Sequence, residues 1–153
     1  PSTLNITVLT AHNNQSTLEC WSLDPGFTVS AQAGTSGSAS LSLGALGGST
    51  NATYVVIPGR YDGGQHNAPT VQWVVFLSGL AHITLPHSID DAWILGGEDG
   101  VILALDTAAV SDGHITTYPS NEVTVALELP IAGSVVPEHR VLYSGACNAT
   151  ESL

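Results

Sequence analysis

Two histidines and a glutamine stand out because their side chains could share one interior site. His66 follows a short glycine-containing segment, Gln72 lies near the start of an apolar run, and His114 directly follows a glycine. Imidazole nitrogens bind divalent transition metals and exchange protons near neutral pH, and an amide can orient an imidazole. These residue types are therefore suited to a metal site, to proton transfer or to a hydrogen-bonded structural cluster.

The alternation of neighbouring residues indicates that Gln72 shares a face with apolar side chains. In the run that begins just before Gln72, every second side chain points the same way, which puts the amide on one face with Val74 and Phe76. Tyr118 projects with His114 by the same rule. A buried amide needs hydrogen-bond partners, and imidazoles are suitable ones. We therefore expect a polar, small-molecule pocket formed by His66, Gln72, His114 and Tyr118.

The spacing of these residues resembles the cupin superfamily. The first motif of that family places a histidine pair and then a glutamate before a glycine, and the second motif supplies one more histidine. The matching positions, in that order, hold His66, Gln72, Gly79 and His114. The chain departs from the pattern at two points, since Ala68 stands at the second histidine position and Gln72 replaces the glutamate. The whole chain looks like small secreted fungal cupins with no assigned activity.

The resemblance implies a double-sheet, jelly-roll barrel with a divalent transition metal (iron, manganese, copper or zinc) on His66, His114 and Gln72. Because one ligand and a compensating charge are missing, such a site would bind metal less tightly than three imidazoles with a carboxylate. His82, on the next predicted strand, could replace the missing ligand if its side chain points inward. Asp62 or Asp106 could supply a carboxylate, although turn capping is the more ordinary role of such aspartates.

Two functions are compatible with these observations. The first is a secreted cupin-like protein with a small polar pocket, able to hold a metal, that binds or acts on a small or carbohydrate-related molecule. If it is an enzyme, the resemblance implies an oxygenase-like or isomerase-like reaction, in which His66 and His114 hold the metal or move protons and Gln72 orients one of them. The second is a non-catalytic barrel that binds glycans or a protein partner without metal.

Short apolar runs separated by glycine and proline favour an all-β domain. Nothing sustains a helical period over three turns, and the runs either alternate or are rich in β-branched residues. About ten short strands at this spacing are typical of a sandwich or a barrel, and we expect a single domain over residues 1–153. The predicted strands are 5–9, 18–23, 38–43, 52–57, 70–77, 80–85, 92–95, 101–105, 114–118 and 123–129.

Charge and composition limit the partners. Thirteen acidic residues face only two basic ones, Arg60 and Arg140, and the net charge is −11. Phosphate binding requires Lys and Arg, so nucleic acids and anionic membranes are excluded as partners. No apolar run reaches the roughly 18 to 20 residues of a spanning helix, and no leader precedes Pro1, so we expect a soluble, mature chain. Cupin-like barrels often pair through a sheet edge, so a homodimer is also expected, with Trp73 and the many valines as its candidate contacts.

Two cysteines and four glycosylation acceptors indicate secretion to the extracellular space. Cys20 and Cys147 lie near opposite ends of the chain. A disulfide between them would close a long loop and contribute about 4 kcal/mol in the chain-entropy model. Two free buried thiols and acceptors that arise by chance are the alternatives. The Asn-x-Ser/Thr acceptors are Asn5, Asn14, Asn51 and Asn148.

Overall fold

The computed structural model describes residues 2–41 and 51–148, which form an all-β chain. Apart from one short 3₁₀ turn, Ala132–Ser134, all of its regular structure is in strands. Within these two ranges no helix is long and apolar enough to cross a membrane. The strands are β1 Asn5–His12, β2 Gln15–Leu23, β3 Thr28–Val29, β4 Ala39–Ser40, β5 Thr53–Ile57, β6 Tyr61–His66, β7 Gln72–Ser78, β8 Leu80–Leu85, β9 Ser88–Leu95, β10 Val101–Ala104, β11 His114–Tyr118, β12 Thr124–Pro130 and β13 His139–Ser144.

The strands form two main sheets that pack against each other. The larger sheet has seven strands in the order β13-β2-β1-β10-β7-β12-β5, and the smaller has four in the order β6-β11-β8-β9. Strands β3 and β4 form a separate hairpin. Neighbouring strands are antiparallel except β1 and β10, which run parallel. From β5 to β12 the chain passes repeatedly between the two sheets, so side chains from distant parts of the sequence face a common interior.

The larger sheet has two buried faces. On one face Leu9, Phe76 and Ile102 pack against Ile83 of the smaller sheet. The cluster on the opposite face contains Ile6, Val8, Trp21, Leu23, Trp73, Leu103 and Ile131. Burial of one such side chain stabilises the fold by about 1.5–3 kcal/mol, so both faces contribute to stability.

Trp73 belongs to that second cluster and is only 3% exposed. The prediction that its indole forms part of an exposed dimer edge is therefore wrong, because alternation along β7 directs it into the core. A homodimer stays a prediction, and a contact of that kind would have to use other side chains.

The sequence does not predict β3, β6 or β13. The six residues of β6 are all exposed and lack apolar alternation, so this segment becomes a strand only through its pairing with β11. Strand β9 begins at Ser88, before its predicted start at residue 92, so Asp90 and Asp91 lie within the strand. Residues 42 and 43 of the predicted strand 38–43 lie outside the described residues.

The predicted disulfide between Cys20 and Cys147 is confirmed. The two residues are 127 positions apart in sequence, and their Cα atoms are 4.8 Å apart. Because Cys20 lies in β2, the bond fastens the segment after β13 to the larger sheet. Glycosylation stays a prediction: Asn14, Asn51 and Asn148 are exposed, and Asn5 is half-buried.

Candidate functional site

A cavity of about 360 Å³ lies between the two sheets. Pockets of a few hundred cubic ångströms are the usual size for small-molecule ligands. The structure brings the four residues that the sequence places in a pocket to this one cavity. Its lining combines apolar side chains, among them Leu9, Val74, Phe76, Ile83 and Ile102, with the polar residues His66, Asn67, Gln72, His114, Thr116, Tyr118 and Glu128.

Strand pairing brings the two histidines together. β6 and β11 are antiparallel neighbours, and His66 lies directly opposite His114 in their register. The centroids of the two imidazole rings are 4.6 Å apart. Gln72 is buried at the start of β7, in the other sheet, and lines the same cavity. The polar part of the cavity is therefore built from both sheets.

The close approach of β6 to the start of β11 depends on a glycine. Gly113 adopts a φ of +100°, a conformation that residues with a side chain rarely adopt. A Cβ atom at this position would lie 2.6 Å from the carbonyl oxygen of His66. The glycine thus allows both the turn into β11 and the contact that places His114 beside His66.

Asp106 fixes the orientation of His114. The Nδ1 atom of His114 donates a hydrogen bond to Oδ2 of Asp106 at 2.6 Å, and the two residues are 5% and 0% exposed. An ionised carboxylate only accepts hydrogen bonds, so the proton of the neutral imidazole lies on Nδ1 and Nε2 is left as an acceptor for the cavity. The sequence favours turn capping for Asp106; in the structure its carboxylate is instead the hydrogen-bond partner that orients His114.

A chain of hydrogen bonds holds Asp106 in place. Ser16, on β2, donates to Oδ2 of Asp106 at 2.6 Å. Since that uses its only hydroxyl proton, Ser111 donates to Ser16 at 2.5 Å and itself accepts the backbone N–H of Gly113 at 2.8 Å. The side chain of Asn67 donates to the carbonyl oxygens of Asp106 and Ser111. The segments next to both histidines are therefore joined in one polar network.

His66 is oriented from the exposed side of the cavity. Its Nδ1 atom donates to the carbonyl oxygen of Gly64 at 2.9 Å, so Nε2 is again the ring nitrogen left for a ligand. Asp62 accepts the backbone N–H of Gly64 at 2.9 Å. Its carboxylate therefore bonds the backbone within strand β6, ahead of His66, and it is not part of the cavity lining.

Glu128 is a cavity residue that the sequence reasoning missed. It lies on β12 and lines the cavity together with Tyr118. Burial raises the pKa of Tyr118 to about 12, helped by the carboxylate of Glu128 and by Tyr61. The phenol therefore stays protonated at neutral pH and can donate a hydrogen bond. The alternation of Thr124, Ala126 and Glu128, of which the first two are buried, is the signal that could have indicated an inward position.

The donor set fits part of a metal site. Each histidine has Nδ1 engaged by a carboxylate or a carbonyl, which is the usual arrangement of metal-ligating histidines. Among the described residues, however, no group of three His, Cys, Asp or Glu side chains is arranged to hold a metal ion. His82 does not complete the set, because it lies outside the cavity, where it stacks on Trp93 and pairs with Asp91. A metal would therefore depend on His66, His114 and the amide oxygen of Gln72.

Comparisons with known proteins do not assign the chain to a family. The sequence matches no protein-family model, and neither a curated protein nor a solved structure matches it significantly. The geometry of the cavity is therefore the basis on which a function is assigned.

Proposed function

We propose that this chain is an extracellular protein of cupin-type jelly-roll fold that binds a small hydroxyl-bearing molecule, such as a monosaccharide or a related polyol, between its two sheets. The observation that supports this best is a histidine oriented by a buried aspartate and lining a cavity of ligand size. His114 is the residue of the site on which the proposal depends most.

The strand order supports the jelly-roll assignment. Strands β5 to β12 divide between the sheets as β5-β12-β7-β10 and β6-β11-β8-β9. Eight strands in two sheets, connected as two Greek keys, are the pattern of the jelly roll. Strands β1, β2 and β13 extend one of these sheets. The disulfide supports an extracellular location, because disulfides persist mainly in oxidising compartments.

The lining of the cavity defines the class of ligand. The polar side chains, among them Gln72, Thr116 and Tyr118, can exchange hydrogen bonds with hydroxyl groups, while the apolar ones can cover the C–H face of a sugar ring. A volume of about 360 Å³ lies at the lower end of the range for ligand pockets, which favours a single ring over a longer chain. The carboxylate of Glu128 and the net charge of −11 disfavour an anionic ligand.

The same geometry is suited to proton transfer. With Nδ1 bound to Asp106, the Nε2 atom of His114 can accept a proton, and the carboxylate then stabilises the imidazolium. Tyr118 retains its proton and can donate a hydrogen bond to a ligand oxygen in the same cavity. A proton acceptor and a hydrogen-bond donor in one cavity favour isomerase-like chemistry on the bound molecule.

A metal-dependent form of this function is the second candidate. It is favoured by the hydrogen bonds that engage Nδ1 of both imidazoles and leave both Nε2 atoms available. Bound iron, manganese, copper or zinc would polarise an oxygen atom of the ligand. His66, His114 and Gln72 are the residues that would hold it. A metal-free protein that only binds glycans is the third outcome that the experiment below can reach.

Calorimetric titration of the native, full chain with monosaccharides and polyols tests the proposal, before and after dialysis against a chelator. We expect the wild type to bind at least one of them, and His114→Ala to reduce the affinity by at least about tenfold. His87→Ala is a matched control, because His87 pairs with Asp112 at the surface and does not line the cavity. Undiminished affinity of H114A, or binding of none of these compounds, would contradict the proposal.

Elemental analysis of the same preparation distinguishes the candidates. A stoichiometric metal together with loss of ligand binding after chelation would select the metal-dependent form. Turnover of the bound compound without metal would select proton transfer by His114, and binding without turnover would select the non-catalytic form.

A further inference from the structure

A second recess lies along a free edge of the smaller sheet. β9 is the last strand of that sheet, and among the described residues it pairs only with β8. A groove of about 570 Å³ is lined by the consecutive β9 residues 91–95. Residues 3–7 and 146–148 also line it. An unpaired strand edge beside a groove is a template on which an extended peptide can form a further strand.

The outward side chains of β9 form an exposed apolar stripe. Ile89, Trp93 and Leu95 are 101%, 57% and 68% exposed, whereas Ala92 and Ile94 between them are buried. Single exposed apolar residues are ordinary, but several on one strand mark a contact surface. The edge of β9 therefore offers a partner both unpaired backbone groups and apolar side chains.

The indole of Trp93 is held in place before any partner binds. It stacks on the imidazole of His82, with ring centroids 3.8 Å apart and ring planes within 10°. Nε2 of His82 in turn pairs with the carboxylate of Asp91 at 2.7 Å. A side chain fixed in this way loses little conformational entropy on binding, and the unstacked face of an indole attracts cationic groups.

The charge of the groove selects the partner. Asp91, Glu98 and Asp99 line it, and neither arginine of the chain does. A second copy of the chain is disfavoured as the occupant because each copy has a net charge of −11. A segment with Lys or Arg is attracted both by the carboxylates and by the indole.

We propose that the groove beside β9 binds an extended, basic peptide segment of another protein, which adds a strand to the free edge of β9. The backbone of the segment hydrogen-bonds to that edge, and its alternate Lys or Arg side chains reach Trp93, Glu98 and Asp99. The groove shares no lining residue with the cavity between the sheets. This second site is therefore independent of the function proposed above.

Fluorescence anisotropy with three labelled octapeptide libraries tests the proposal. The first has Lys or Arg at alternate positions, the second has Asp or Glu there, and the third is the basic library with N-methylated backbone amides between the basic residues. The full chain is first freed of N-linked glycans, because the acceptors Asn5 and Asn148 line the groove. We expect the basic library to bind in a salt-dependent manner, the acidic library not to bind, and N-methylation to weaken binding by at least about tenfold.

Variants of the groove locate the binding site. We expect Trp93→Ala, and separately the double variant Glu98→Gln with Asp99→Asn, to weaken binding of the basic library by about tenfold. Val141→Ala is the matched control, since Val141 is 49% exposed on β13, the edge strand of the other sheet. His114→Ala leaves peptide binding unchanged and so separates this site from the cavity. Full affinity of W93A, equal binding of the N-methylated library, or no binding of the basic library would overturn the proposal.

Discussion

The carboxylate of Asp106 accepts the Nδ1–H of His114 at 2.6 Å, and neither residue is appreciably open to solvent. Asp106 lies in the loop after β10, and His114 is the first residue of β11. The hydrogen bond therefore spans the loop that connects the two sheets and sets the orientation of the imidazole. Because the ring also borders the cavity, changes to the carboxylate of Asp106 are expected to reach a bound ligand through His114.

We expect Asp106→Asn to lower the free energy of unfolding by about 1–3 kcal/mol, because a buried hydrogen bond to a charged group is lost. The side-chain amide of the new asparagine can donate as well as accept, so it does not require a proton on Nδ1 of His114. The imidazole therefore shifts towards the tautomer that carries its proton on Nε2. Nitrogen-15 NMR of the histidine side chains measures this shift. Asp112→Asn, which alters the surface partner of His87, is the matched control. An unchanged tautomer in D106N would refute the orienting role of Asp106.

Gly113→Ala is expected to destabilise the fold by about 1–3 kcal/mol and to disturb the imidazole pair, because it adds both a strained φ and a contact with the backbone of His66. Gly97→Ala is the matched control: its φ is also positive, at +112°, but a Cβ there meets nothing within 4 Å. Denaturant unfolding measures both variants. Equal losses in the two would show that the approach of His66 does not constrain residue 113.

Gln72→Glu should create a site with two histidines and one carboxylate, the set that suits divalent iron and manganese. We expect the affinity for Mn²⁺, measured by calorimetry with the metal alone, to rise by at least about tenfold. Gln65→Glu is the control. Gln65 lies on the exposed strand β6, and its side chain bonds the carbonyl oxygen of Asp112 instead of lining the cavity. Unchanged affinity in Q72E would mean that the two imidazoles and residue 72 do not surround a common point.

Tyr118 makes the fold sensitive to alkali. Burial raises the pKa of Tyr118 from 10.0 to about 12, so the unfolded chain loses this proton at lower pH than the folded chain. The contribution of the protonated Tyr118 phenol to the unfolding free energy is complete below pH 10.0 and is lost as the pH rises towards about 12. We expect Tyr118→Phe to flatten the fall in unfolding free energy over this range. Tyr54→Phe, at an exposed position on β5, should retain the wild-type slope, and a wild-type slope in Y118F would contradict the assignment.

Replacement of both Cys20 and Cys147 by serine is expected to lower the free energy of unfolding by about 2–5 kcal/mol, since the unfolded chain is no longer restrained by a long loop. Denaturant unfolding of the wild type with and without a reducing agent provides the comparison. The reducing agent should destabilise the wild type and leave the double variant unaffected. If the reducing agent left the unfolding free energy of the wild type unchanged, and the double variant were as stable as the wild type, the bond would have no thermodynamic role.

Alternating apolar residues made most of the strands predictable, because the period of two is visible wherever one face of a strand is buried. The structure gives the strand over 114–118 with the predicted bounds, and the face shared by Gln72 and Phe76 lines the cavity. β6 has no such alternation, so the register that places His66 opposite His114 could not be derived from the sequence. Motif spacing, and the need of a buried Gln72 for hydrogen-bond partners, indicated only that the two histidines share a site.

The role of Asp106 could not be predicted because it depends on contacts between distant segments. An aspartate at the end of a strand is most often a turn cap, and only the fold brings Ser16 and His114 to the same oxygen, Oδ2, of this carboxylate. The outward position of His82 follows from alternation with its buried neighbours Ala81 and Ile83, but the face of β8 that is buried is known only once the sheets are packed.

Adjacent side chains of β7 point to opposite faces of the larger sheet, since Gln72 lines the cavity and Trp73 packs in the cluster on the other face. Both are fixed by their pairing with Pro130 and Leu129 of β12. A one-residue deletion inside β7 would exchange the two sets of side chains, which would put an amide among apolar groups and an indole into the ligand space. Substitution along this strand can therefore alter ligand preference, whereas a one-residue change in its length would disrupt both interiors.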